Sequence, residues 1–215
     1  MHMKSIRVPF VAGLKEGGPA RAMETLLLRG QRFDVNEVNW PGAYPYAPLC
    51  AGFIARDDKV LAVSFHVSGL DLRAVNLEDN MHQWEDSTVE FFVQDPSGEA
   101  YYNFEMNCIG TILSAAGAGR SNRTVRPAVS SVERYSTLPA ERVETEGGVH
   151  SWSVVELIPY ELIGVDPENV PDALMANFYK CGDLTAHPHF LSWNRIDTPE
   201  PDFHRPEFFG KLILG

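Results

Sequence analysis

The chain has 215 residues, of which 44% are hydrophobic and 22% are charged, and its formal net charge is −11. This composition is that of a globular domain with enough apolar surface to form a core. The negative charge repels phosphate backbones and anionic lipid, so we expect neither nucleic acid nor a membrane surface as a partner, whereas a neutral ligand is not penalised.

The N-terminal segment and the cysteines bear on the compartment. No apolar run approaches the ~20 residues of a membrane span, and the first residues lack the apolar stretch of a secretion signal. We therefore expect a cytoplasmic protein if the start is native, and a periplasmic or extracellular one if a leader was removed. Cys50, Cys108 and Cys181 have no close spacing, which favours buried free thiols over a zinc site or a disulfide framework.

The predicted elements are mostly short strands in one domain that spans 1–215, with 1–37 as a less regular N-terminal extension. Pro19 and Gly30 bound a short helix in that extension. Three hairpins are predicted from paired strands at 51–56 with 60–68, 87–94 with 100–109, and 141–146 with 149–157, the last turning at Gly147 and Gly148. Further strands are predicted at 174–182, 189–196 and 209–214, with one helical turn at 159–164. This pattern indicates an all-β fold, an antiparallel β-sandwich of jelly-roll or immunoglobulin-like type with one or two short helices.

The central hairpin has one apolar face and one polar face. Its apolar face consists of Val89, Phe91, Val93, Tyr102, Phe104 and Met106. Because strand side chains alternate, the opposite face carries Glu90, Asn103, Glu105 and Asn107. Carboxylates and amides supply both acceptors and donors, so this face suits a ligand with many hydroxyls; a plain solvated face is the alternative.

Two tryptophans stand apart from the apolar pattern. Trp84 lies in a polar, turn-like segment, and Trp193 shares a strand face with His189 and Arg195. The C–H faces of sugar rings pack on indole, so the two side chains are candidates for the two walls of a slot around a sugar ring, with a rim or core role as the alternative.

Five segments together resemble carbohydrate-binding module family 9, in its family-9-like bacterial branch. They are "VNWPGAYPYAP" (38–48), "WEDSTVEFFVQ" (84–94), "YYNFEMNCIGT" (101–111), "NFYKCGD" (177–183) and "HFLSWNRIDTPEPDFHRPEFFG" (189–210). They occur in the family's order and cover nearly the whole chain. The resemblance implies a β-sandwich that binds a sugar or a polysaccharide chain end, without catalysis, between two tryptophans.

The resemblance also implies a set of ligand-binding residues. Trp84 and Trp193 match the paired tryptophans, and Glu90 matches the acidic residue that follows the first of them. The family's arginine is missing from the strand "YYNFEMN", where Asn103, Glu105 and Asn107 stand instead, and Lys180 and Arg195 are the candidate cations.

A glycoside hydrolase that acts on the same polysaccharide is a further expected partner. No cofactor is expected, although some family members hold structural calcium, for which segments 77–80 and 84–87 supply carboxylates without a defined calcium loop.

Two other functions remain open. Some related sandwiches hold a b-type haem for electron transfer, for which the possible ligands are Met81, Met106, Lys180, His187 and His189. Glu90 and Glu105 could also act as the carboxylate pair of a glycosidase. By contrast, Arg120, Arg123 and Arg126 are interpreted as a solvated loop, with a basic spot near the site as the alternative. His204 is interpreted as a loop histidine, with a metal ligand as the alternative.

Overall fold

The structure is a computed structural model that describes residues 3–215, and it is mostly β, with 43% strand and 13% helix. Two sheets pack face to face, which confirms the predicted β-sandwich. The strands are β1 (Ser5–Arg7), β2 (Gln31–Asp34), β3 (Glu37–Val38), β4 (Leu49–Arg56), β5 (Val60–Ala74), β6 (Thr88–Gln94), β7 (Tyr101–Asn107), β8 (Ile112–Gly117), β9 (Thr124–Val125), β10 (Glu133–Ser136), β11 (Val143–Pro159), β12 (Ala173–Cys181), β13 (Phe190–Ser192) and β14 (Gly210–Ile213). The α-helix is α1 (Gly18–Arg29), and 3₁₀ turns lie at Gln83–Glu85, Pro127–Ser131, Tyr160–Ile163 and Pro206–Phe208.

One layer is a nine-stranded sheet in the order β1-β14-β12-β6-β7-β8-β9, with β13 paired to β12 and β3 paired to β13. All of these pairs are antiparallel except β1 with β14. The apolar face predicted for the central hairpin lies in the core between the sheets, where Val89, Phe91 and Phe104 are at most 1% exposed. The polar residues of the same strands therefore point to the outer face of this sheet.

The second layer is a five-stranded sheet in the order β10-β11-β5-β4-β2. Its inner face contributes Phe65, Val67 and Trp152 to the core shared with the other sheet. Its outer face is covered by α1, whose Ala22, Met23 and Leu26 pack in a second apolar cluster. Since Pro19 stands in the first turn of α1 and Gly30 follows its last residue, the helix begins and ends where the sequence predicts.

The predicted hairpin turn at Gly147 and Gly148 is wrong. β11 continues through both glycines and pairs with β5 along its length, with a bulge between Thr145 and Val149. Both glycines have positive φ, at 71° and 81°, and the Gly147 N–H donates to Asp71 Oδ1 at 2.7 Å. The backbone freedom that indicates a tight turn serves equally well to absorb extra residues in a bulge.

The outer face of the nine-stranded sheet is covered by a long segment, residues 195–209, which we call the cover. Ile196, Phe203 and Phe209 of the cover pack with Phe92 and Tyr179 of the sheet in a third apolar cluster. The polar residues of this face are consequently buried, which differs from a plain solvated face. No helix in residues 3–215 is long and apolar enough to span a membrane.

Candidate functional site

A cavity of about 490 Å³ lies on the outer face of the nine-stranded sheet, beside the cover. It contains four of the predicted site residues, namely Trp84, Glu90, Asn103 and Glu105. The other lining residues are Asn80, Met81, His82, Leu113, Ala115, Arg120, Arg123, Val125, Cys181, Asp183, Phe190, Pro201, Asp202, Phe203 and His204. The cavity thus combines aromatic, charged and aliphatic side chains.

Trp84 is held in place by the 3₁₀ turn Gln83–Glu85 and by the buried carboxylate of Asp86. Asp86 accepts hydrogen bonds from the backbone N–H groups of Val75 and Asn76 at 3.0 Å, and it pairs with Arg73. Such a fully bonded carboxylate fixes the turn on the sheet. His82 stacks on the Trp84 indole, with ring centroids 4.6 Å apart and planes at 25°. Because one face of the indole is occupied, the other face is the one that can take a ligand.

Two buried carboxyl groups form the floor of the cavity. Glu90 on β6 lies directly opposite Glu105 on β7, and each is 3% exposed. Glu105 Oε1 accepts a hydrogen bond from Asn103 Nδ2 at 2.8 Å, and Glu90 Oε1 accepts one from the Cys181 thiol at 3.1 Å. Glu105 Oε2 is buried without a hydrogen-bond partner among the described residues. An unpaired buried acceptor is costly unless a ligand or water satisfies it.

Burial makes both floor carboxyls weaker acids. It raises the pKa of Glu105 to about 7, and burial together with the charge of Glu105 raises the pKa of Glu90 well above its ordinary value. Asp183 at the edge of the cavity follows the same pattern, since burial and the nearby Glu85 raise its pKa to about 6. Two close carboxyls in a desolvated site do not both ionise readily, so the floor offers an O–H donor as well as acceptors near neutral pH.

Arg123 completes the floor from the loop between β8 and β9. Its guanidinium lies over the Tyr101 ring, 4.1 Å from the centroid, and donates to Asn103 Oδ1 at 2.6 Å. Its Nε is buried without a partner among the described residues. The interpretation of this loop as solvated is therefore wrong for Arg123. Its spacing after a glycine-rich stretch carries no signal that the chain folds back over β7.

The cover supplies the remaining aromatic wall. Phe203 stacks on Tyr179 with centroids 4.2 Å apart, and the Tyr179 hydroxyl donates to the Phe203 carbonyl at 3.1 Å. Next to it, His204 Nδ1 lies 2.9 Å from the Tyr101 hydroxyl, and Phe190 packs at 6.1 Å from Phe203. Two tyrosines of the sheet therefore fix the cover, and Phe190 and Phe203 line the cavity together with Trp84.

Trp193 does not face Trp84 across this cavity. It is 4% exposed and belongs to the main core between the sheets, where its ring packs edge-on against Phe178 at 5.5 Å. Its backbone N–H donates to the Phe178 carbonyl, and regular β13 ends one residue earlier, at Ser192. The slot with two tryptophan walls is thus not formed.

Three further predicted residues also lie outside the cavity. Asn107 is fully buried and donates to Asp86 Oδ2 at 3.0 Å, so it supports the turn that carries Trp84. Lys180 points to the core side of β12, 2% exposed, with its Nζ 2.9 Å from His189 Nε2. Arg195 is exposed on the cover and does not line the cavity. Alternation along β12 explains Lys180, because Tyr179 and Cys181 take the outer face.

The residues considered for haem do not converge on one space. Met81 is 41% exposed on the rim of the cavity, whereas Met106 and Lys180 are buried in the core between the sheets. His187 Nδ1 lies 2.7 Å from Asp71 Oδ2, and His189 is bonded to Lys180. This donor set does not fit a haem with two axial ligands.

Of the carboxylates considered for calcium, Asp79, Glu85 and Asp86 already have protein partners. Asp79 pairs with Arg134 at 2.6 Å and accepts from the Ile112 N–H at 3.1 Å. Within residues 3–215, no group of three or more His, Cys, Asp and Glu side chains is placed to hold a metal ion.

A larger concavity, of about 670 Å³, lies against the five-stranded sheet and contains none of the predicted site residues. Several of its polar side chains are bonded to one another: His66 Nδ1 lies 2.8 Å from Ser153 Oγ, and Ser151 Oγ donates to Ser68 Oγ at 3.1 Å. Groups that are satisfied in this way have little to offer a ligand, whereas the smaller cavity contains buried polar atoms without partners. We therefore assign the candidate site to the cavity at Trp84.

An aromatic surface beside carboxyl groups in one cavity of a β-sandwich is the arrangement expected of a sugar-binding module. The chain belongs to carbohydrate-binding family 9, because the model of that family matches residues 23–214. A search of curated proteins returned no match.

Three solved structures are similar to this chain. A candidate carbohydrate-binding protein from Bacteroides uniformis ATCC 8492 is 34% identical over 100% of both chains, with a TM-score of 0.92. A family 9 module from Caldicellulosiruptor kristjanssonii, in complex with glucose, has a TM-score of 0.62 at 13% identity over 99% of this chain and 96% of its own. The same kind of module in complex with cellotriose has a TM-score of 0.62 at 12% identity over 98% and 93%. At these identities the two complexes establish the shared fold.

Proposed function

We propose that the cavity at Trp84 binds a sugar ring or a polysaccharide chain end without catalysis. The observation that carries this proposal is the pair of unpartnered buried atoms, Glu105 Oε2 and Arg123 Nε, in the same cavity as the indole of Trp84. An acceptor, a donor and an aromatic surface are what a sugar ring requires, since its rim carries hydroxyls and its face carries C–H groups.

The floor suits a neutral ligand. Glu90 and Glu105 are buried and their pKa values are raised, so a charged anionic ligand would face further desolvated carboxyls. Hydroxyls can accept from a protonated carboxyl and donate to an ionised one. The family relationship supports a carbohydrate as this ligand, and the glucose and cellotriose bound by family 9 modules support gluco-configured sugars as the first to test.

The placement of the two carboxyls supports binding without hydrolysis. A glycosidase places its acid and its nucleophile or base on either side of the bond to be cut. Glu90 and Glu105 instead lie side by side on neighbouring strands of one sheet floor. A glycoside hydrolase that acts on the same polysaccharide remains the partner we propose for such a module.

Calorimetric titration of the protein with a panel of mono- and oligosaccharides tests the proposal. We expect binding without release of reducing sugar, and a loss of affinity of at least about tenfold in Trp84→Ala, because the stacking surface is removed. Trp193→Phe is the matched control, since it changes a tryptophan that the structure places in the core. If Trp84→Ala binds as the unaltered protein does, or if no sugar binds, the proposal is wrong. Hydrolysis that disappears in Glu90→Gln would instead establish an enzyme.

A further inference from the structure

The lining of the cavity changes from polar to apolar side chains across the sheet. In register, Glu90 on β6 faces Glu105 on β7, and Glu105 in turn faces Leu113 on β8. One row further, Asn103 faces Ala115, which faces Val125 on β9. The floor therefore passes from carboxyl and amide groups on β6 and β7 to aliphatic side chains on β8 and β9.

Met81 joins the aliphatic end from a neighbouring loop. Asn80 fixes this loop on β8, because its N–H donates to the Ile112 carbonyl at 3.0 Å and its Oδ1 accepts from the Ser114 N–H at 3.1 Å. Met81 and Val125 remain 41% and 49% exposed, although both line the cavity. We call Met81, Leu113, Ala115 and Val125 the apolar shelf.

We infer that the ligand carries an apolar substituent, an alkyl or aryl aglycone, that lies on the apolar shelf while its sugar ring lies at Trp84. This inference rests on the proposed function, and it extends it from the sugar to the group attached to it. The shelf is continuous with the sugar site, since both line one cavity of about 490 Å³, a volume within the range of sites that enclose ligands larger than one ring.

A second sugar unit fits the shelf less well than an aglycone. The four shelf side chains offer no conventional hydrogen-bonding group and no flat aromatic surface, so hydroxyls placed there would gain nothing from the protein. An alkyl or aryl group, by contrast, would cover the exposed parts of Met81 and Val125.

Calorimetry with paired ligands tests the inference. For each sugar of the glucose, galactose, mannose and xylose series, the methyl and phenyl glycosides are compared. We expect the phenyl glycoside of the recognised sugar to bind about tenfold tighter, which corresponds to burying about 55 Å² of apolar surface. In Val125→Asp and in Met81→Ser we expect the ratio of the two affinities to fall towards one. Val149→Asp, which alters a 76% exposed valine of β11, is the matched control and should keep the ratio.

The outcomes separate the two proposals. If methyl and phenyl glycosides bind equally, or if the advantage of the phenyl group persists in both shelf variants, the apolar shelf is not a subsite, while the sugar site at Trp84 stands. If cellobiose shows the same gain as the phenyl glycoside, the shelf binds a second sugar and the inference is overturned. If no glycoside or free sugar binds, the proposed function fails as well. Circular dichroism confirms that the variants are folded.

Discussion

The indole of Trp193 packs over Gly210, at the start of β14. A Cβ on Gly210 would lie 2.4 Å from Trp193 Cζ3, so the close approach of ring and backbone requires a glycine there. Trp193 therefore packs across two neighbouring strands, against Phe178 of β12 and Gly210 of β14.

Removing this side chain should therefore cost stability. We expect Trp193→Ala to lower the free energy of unfolding by about 3–5 kcal/mol, as is typical for a large aromatic residue lost from a core. Trp84→Ala should change it by less than about 1 kcal/mol, because Trp84 is only partly buried on the outer face. Urea denaturation measures both values. Equal losses in the two variants would contradict the placement of the two tryptophans.

Glu105 makes the free energy of unfolding depend on pH. Burial raises its pKa from the ordinary 4.5 to about 7, so the folded state holds the proton more tightly than the unfolded state. The resulting stabilisation is complete below about pH 4.5 and is lost as the pH rises through 7.

Glu105→Gln should remove this dependence. Glutamine keeps an oxygen that can accept from Asn103 and does not ionise, so we expect the variant to match the original protein at pH 5 and to exceed it at pH 8. The gain at pH 8 is at most about 3.5 kcal/mol, because the pKa of Glu105 rises from 4.5 to about 7 and one pKa unit corresponds to ~1.4 kcal/mol. Parallel stability profiles between pH 5 and pH 8, measured by urea unfolding, would show that Glu105 is not a buried acid. Some dependence should persist, because Glu90 also has a raised pKa.

The helix α1 packs on the outer face of the five-stranded sheet, apart from the core between the two sheets. Leu26 is fully buried in its apolar cluster, whereas Leu28, two positions further, is 85% exposed. Their side chains point in different directions because successive helix residues are rotated by about 100°.

These two leucines form a matched pair. We expect Leu26→Ala to lower the free energy of unfolding by about 2–5 kcal/mol, and Leu28→Ala to change it by no more than about 0.5 kcal/mol. Both substitutions gain the same helix propensity, so the difference between their denaturation midpoints isolates the packing of α1. A small effect of Leu26→Ala would mean that the helix does not hold to the sheet in solution.

Sequence patterns predicted the helix and the strand faces correctly where a single physical rule determines the structure. Alternation in β6 and β7 placed Val89, Phe91 and Phe104 in the core correctly, and the helix punctuation by Pro19 and Gly30 is confirmed. The rule failed at Gly147 and Gly148, because positive φ is compatible with a turn or with a bulge, and only the pairing with β5 decides between them.

At the level of the whole molecule, the candidate site could be predicted only in part. Trp84, Glu90, Asn103 and Glu105 meet in one cavity because they belong to adjacent elements, where local pattern and strand pairing are readable. Arg123 and Phe203 arrive on long loops whose course depends on tertiary packing, which no local period encodes. Trp193 was misplaced because its strand face was assigned to the ligand side. Glu90, Tyr179 and Ser192 share one register row on the outer face, so alternation places Leu191 and Trp193 in the core.

The pairing of β1 with β14 also bears on how the protein folds. Ser5 and Lys211 are partners in the nine-stranded sheet, so its edge closes only when distant parts of the chain meet. Such pairings cost loop-closure entropy before the contacts that stabilise them can form. Folds dominated by non-local pairings therefore form in milliseconds to seconds, more slowly than helical bundles. The cover lies immediately before β14, and its placement beside the cavity at Trp84 is therefore tied to this non-local pairing. The ligand cavity is accordingly complete only when the two ends of the chain have met in one sheet.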